Sequence, residues 1–76
     1  MKSNKLKNEI TSCLCDICFD YHGKSACINP WNEHKIEVGF GDQVITFSAI
    51  EDLMSSKMFD GNSLYDICEK VDFQFI

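Results

Sequence analysis

No stretch of this 76-residue chain holds the roughly 18 consecutive apolar residues that a membrane-spanning helix needs. The basic start, Met1 to Glu9, has no apolar segment behind it of the kind a secretory signal requires. The expected address is therefore cytoplasmic, where thiols stay reduced. Internal repeats, low-complexity runs and linkers rich in Pro, Gly or Ser are absent, so a single domain, 1–76, is expected. Positive charge is in short supply: seven Lys and Arg stand against twelve Asp and Glu, a net charge of −5. That balance argues against non-specific binding to nucleic acid or to an anionic membrane, both of which need a positive patch. The four glycines are scattered and build no phosphate-cradling loop.

Size sets the next constraint. A chain this short buries only about 60% of the surface its unfolded form exposes. Small domains often supplement such a core with a metal, disulfides or a partner chain. The clearest local pattern runs from His34 to Phe59. Ile36, Val38 and Phe40 alternate with other residues, Gly41-Asp42 makes a two-residue turn, and Gln43 to Phe47 returns. This register pairs 40 with 43, 38 with 45 and 36 with 47, and puts five apolar residues on one face. Ser48 and Glu51 form a capping box, followed by the apolar Ile50, Leu53 and Met54; Met58-Phe59 extends that stripe until Asp60-Gly61 breaks it. Ser63 and Asp66 form a second box that opens a short helix.

Toward the N-terminus, Leu6, Ile10, Cys13, Leu14, Ile17 and Tyr21 fall at helical spacing, with Gly23 as the stop. Asn29-Pro30 marks an extended or turning connection, and the single Trp31 is expected to close one end of the core. The expected fold class is thus α+β: a long N-terminal helix over 5–22, a central β-hairpin over 34–48, and two short helices over 49–58 and 63–71. The tail, Asp72 to Ile76, alternates and is either a third strand on the hairpin edge or a loose end, giving the order α-β-β-α-α-(β).

Five cysteines are an odd number, which leaves one unpaired in any disulfide framework. Cys15, Cys18, His22 and Cys27 follow a Cys-x2-Cys-x3-His-x4-Cys spacing, and three thiolates with one imidazole can hold structural zinc in a tetrahedron. The spacing resembles that of the retroviral-type zinc knuckle over residues 15 to 27, one residue shorter between the second cysteine and the histidine. On the expected first helix Cys15, Cys18 and His22 share a ridge. A metal bound with Cys27 or His34, burial of that ridge against the hairpin or a second subunit, or exposed thiols left there by neutral drift are the three accounts of thiols on that side. Cys18 with His22 as its base is the thiol-enzyme or redox alternative.

No finished catalytic constellation is present. The function expected from sequence is a non-enzymatic protein-interaction or regulatory module, with a protein partner or self-association. A zinc-stabilised mini-domain stands second, and Cys18/His22 thiol chemistry third.

Overall fold

The computed structural model describes residues 1–76. It is built on a five-stranded antiparallel sheet rather than a single hairpin, in the chain order α-β-β-β-β-α-α-β. The elements are α1 (Ser3–Ser12), β1 (Ile17–Tyr21), β2 (Lys24–Asn32), β3 (Lys35–Phe40), β4 (Gln43–Phe47), α2 (Ile50–Ser55), α3 (Leu64–Ile67) and β5 (Gln74–Phe75). Across the sheet the strands run β4-β3-β2-β1-β5.

The long helix expected over 5–22 is corrected by this arrangement. It ends at Ser12, with Cys13 in left-handed geometry at φ 56°, and Leu14 is exposed. The chain beyond is a strand because Ile17, Phe19 and Tyr21 also sit at spacing two, with aromatic and β-branched side chains that suit a pleated surface. Phe19, which lies off the helical stripe, is buried with Ile17 in the core. His22 and Gly23 are not a helix stop but a two-residue hairpin turn, both at positive φ (52° and 74°), as the type I′ turn demands.

Residues expected to be a connection form β2, the centre of the sheet. Ala26, Ile28 and Pro30 fall on its inward side, and Pro30 opposes Ile36 of β3. Its missing N–H costs no ladder bond. By the alternation of an antiparallel ladder, residues 26, 28 and 30 direct their backbone groups toward β1, and β1 ends opposite Ile28. A bulge follows at Trp31. That side chain is 65% exposed, so it does not close the core; the Lys35 ammonium sits 5.7 Å from its ring centre.

The β3–β4 pair has the expected register, Phe40 with Gln43, Val38 with Ile45 and Ile36 with Phe47. The helices cover the face that carries Ile17, Phe19, Ala26, Ile28, Ile36, Val38 and Phe40, and all 16 buried apolar residues form one cluster. The helix after the hairpin is shorter than expected and lacks its box: Ala49 is the N-cap, with no side-chain cap bond. Glu51 instead accepts from the Tyr65 hydroxyl at 2.7 Å and from Lys7 Nζ at 3.1 Å. The Ser63–Asp66 box does form. The tail strand β5 joins β1, pairing Phe75 with Ile17 and Gln74 with Cys18, rather than the β3–β4 hairpin.

Between α2 and α3, Phe59 and Asn62 bridge each other around Asp60-Gly61. Both turn residues have positive φ (54° and 85°), so this is a third tight turn and not the end of a helix. Its purpose is visible in the packing. Phe59 is fully buried, with ring centres 5.5 Å from Phe19 and 5.3 Å from Phe40.

Candidate functional site

The four residues expected to share a metal are not gathered. Cys15 is half-buried in the segment between α1 and β1. Cys18 and Cys27 are joined in a disulfide across β1 and β2, with Cα atoms 4.1 Å apart. The expectation of uniformly reduced thiols is corrected at this pair. Counting outward from the His22-Gly23 turn, Cys18 and Cys27 occupy a non-hydrogen-bonded position of the ladder, where opposed side chains come closest. Cys13, Cys15 and Cys68 remain free. No group of three or more His, Cys, Asp or Glu side chains is placed to hold a metal ion.

His22 lies at the far end of the hairpin, four strand positions beyond Cys18, so the pair does not form a thiol–imidazole dyad. Its ring stacks on Tyr21 at 3.9 Å between centres, and Nδ1 lies 3.2 Å from Asp60 Oδ2. Lys24 Nζ donates to the other oxygen of Asp60 at 2.9 Å. The Lys24 hydrogen bond, aided by His22, holds the Asp60 carboxyl below its ordinary range. Together with Asn62 Nδ2 donating to the Tyr21 hydroxyl at 2.9 Å, these bonds fasten the Asp60-Gly61 turn to the β1–β2 turn. The His22 ring is therefore engaged in structure.

Two further polar clusters are likewise spent on holding elements together. Tyr65, then Lys7, lowers the Glu51 carboxyl, while Glu51 raises the Lys7 ammonium; this links α1, α2 and α3. Asp66 is lowered to about 2, first by the Lys57 hydrogen bond and then by the Ser63 backbone and hydroxyl.

The helix-free face of the sheet and its two edges are what remain. One row across that face reads Gln74, Cys18, Cys27, Gly39, Val44. At one edge β5 is only two residues long, and a groove of about 550 Å³ runs beside the disulfide, lined in part by Asp20, Lys70 and Asp72. The other edge is β4, Gln43-Val-Ile-Thr-Phe47, which carries no charge, no proline and no bulge. Val44 on it is 67% exposed. In a two-residue hairpin the flanking pair, Phe40 and Gln43, exchanges ladder bonds, so Gln43, Ile45 and Phe47 face β3. The N–H and C=O of Val44 and Thr46 consequently point outward with no strand beyond them.

This edge could not be read from the sequence, because the order of strands in a sheet is a tertiary property. The hairpin register, once known, does identify which two residues have free backbone groups. No protein-family model, curated protein or solved structure matches the chain. No helix is long and apolar enough to cross a membrane.

Proposed function

We propose that this chain is a non-enzymatic protein-interaction module that binds by accepting a strand along β4. The observation that carries the reading is the contrast between the two sheet edges. Natural proteins blunt a free edge with charge, proline, bulges or extreme shortness. The β5 edge is short and bordered by Asp20, Lys70 and Asp72, whereas β4 uses none of these devices over five residues. Strand addition draws affinity from main-chain hydrogen bonds and specificity from alternate side chains, and Val44 and Thr46 offer both. The net charge of −5 favours a protein partner over nucleic acid or an anionic membrane.

A cytoplasmic address is proposed alongside this reading. There the Cys18–Cys27 bond would be opened by the reducing thiol pool, and the strand ladders alone would fix the shape of the binding edge.

A photo-crosslinking side chain at position 44, compared with one at the exposed Asn8 on α1, tests the reading in the protein's native cells. The expected result is a discrete covalent adduct from position 44 and none from position 8. Absence of any adduct from position 44 would contradict strand addition at this edge.

A further inference from the structure

We infer that the strand accepted by β4 is β4 of a second copy, paired antiparallel about a two-fold axis at Ile45. The inference rests on the strand-addition reading above and adds the identity of the partner.

Three features of the edge lead to it. The free backbone groups sit at 44 and 46, symmetrically about Ile45. Antiparallel pairing centred there sets Val44 opposite Thr46 of the second copy, and Thr46 opposite its Val44. Each of these is then a hydrogen-bonded pair that exchanges two bonds. All four outward N–H and C=O groups of each chain are satisfied, and the pattern is its own complement, as an isologous interface requires.

Side chains agree with the same register. On the helix-free face the opposed pair is Val44 with Thr46, a β-branched match with no charge on either side. On the helix-covered face Ile45 meets its own copy, and Gln43 meets Phe47. Ile45 and Phe47, with Ile50 just beyond, are the apolar residues at this end of the core that are only partly buried. A second copy would complete the cover that one chain leaves unfinished. A small domain with a thin core gains from such association.

The strength of the dimer follows from its length. A contact only one five-residue strand long, about 17 Å, belongs to the class of interfaces smaller than the standard of about 1,600 Å². The dimer is therefore weak, with dissociation in the micromolar range or above, on the order of 10 μM to 1 mM. Screening at physiological salt, with a Debye length of about 8 Å, keeps the net charge from abolishing it.

The test is sedimentation of the purified chain from about 1 μM to about 1 mM at physiological salt, for the wild type and for Thr46→Pro. Proline at 46 removes only an outward N–H, leaving every bond to β3 intact, and edge strands tolerate it for that reason. The wild type is expected to pass from monomer to dimer as concentration rises. Thr46→Pro is expected to stay monomeric with an unchanged far-ultraviolet spectrum. A wild type that remains monomeric throughout, or a Thr46→Pro variant that dimerises equally well, overturns the inference.

Should the proline variant lose its fold, a charge exchange decides. Val44→Lys/Thr46→Lys and Val44→Glu/Thr46→Glu each place like charges opposite one another and are expected to be monomeric. Mixing them is expected to restore the dimer as a heterodimer, and failure to do so overturns the register. In the crosslinking experiment, an adduct at twice the 8.7 kDa chain mass identifies the second copy. An adduct of another mass overturns the second copy while leaving strand addition standing, and no adduct removes both.

Discussion

Phe59→Ala is expected to destabilise the chain by about 3–5 kcal/mol, the usual cost of truncating a fully buried phenylalanine. For 76 residues the whole folding free energy is about 4–11 kcal/mol, so one substitution removes roughly a quarter or more of it. The size of the effect comes from the position of the ring. Phe59 has no solvent exposure and joins Phe19 of β1 to Phe40 of β3, while Phe19 also meets Phe73 at 5.1 Å. Edge-on and tilted aromatic pairs add about 0.5–1.5 kcal/mol each beyond buried area. Losing Phe59 leaves a void where the sheet meets the segment between α2 and α3. Thermal unfolding followed by circular dichroism would read this as a fall in Tm of roughly 15 °C or more. A fall of only a few degrees would mean that the Asp60-Gly61 turn does not deliver Phe59 to the core.

Opening the Cys18–Cys27 bond is expected to produce the next largest loss without dismantling the sheet. The crosslink closes a loop of nine residues' separation. By loop-closure entropy this is worth about 2.5–3 kcal/mol, acting through the unfolded state. In a domain of this size that corresponds to a fall in Tm of roughly 10–20 °C. The native spectrum should be retained, because β2 is held on both sides, by five register pairs to β1 and by a longer ladder to β3. The check is a Tm before and after reduction with a phosphine, with Cys18→Ser/Cys27→Ser measured alongside. An unchanged Tm would mean that the bond does not form in solution. A vanished β signal would mean that the bond, not the ladder, holds the hairpin.

What the sequence discloses and conceals follows from how local each feature is. The β3–β4 register was legible because alternation is strict from Ile36 to Phe40 and a two-residue turn leaves one pairing with all apolar residues on one side. The Ser63–Asp66 box was legible because both partners lie within one turn of helix. Ser48 and Glu51 had the same local signature, yet Glu51 was drawn to Lys7 and Tyr65, which lie far away along the chain.

The N-terminal half is ambiguous in sequence for a related reason. Leu6, Ile10, Leu14, Ile17 and Tyr21 satisfy helical spacing, while Ile17, Phe19 and Tyr21 satisfy strand spacing. Only pairing with β2 decides between them. The thiols carry the same ambiguity. Placed on a helix, Cys15, Cys18 and His22 share a ridge; placed on a hairpin, Cys18 and Cys27 stand equally far from the His22-Gly23 turn and face each other. The metal set was thus a consequence of the secondary structure assumed. The open edge of β4, on which the functional reading depends, has no local signature at all, since it exists only once four other strands have taken their places.

Amide hydrogen exchange, resolved by residue along β4 in dilute and in concentrated protein, tests the central claim most directly. Gln43, Ile45 and Phe47, whose amides face β3, are expected to be protected at every concentration. The Val44 and Thr46 amides are expected to exchange freely when dilute and to become protected as concentration rises. Protection of Val44 and Thr46 in dilute monomer would mean that the edge is already covered. Free exchange at both positions in concentrated protein, with β3-facing amides still protected, would mean that β4 accepts no strand from a second copy.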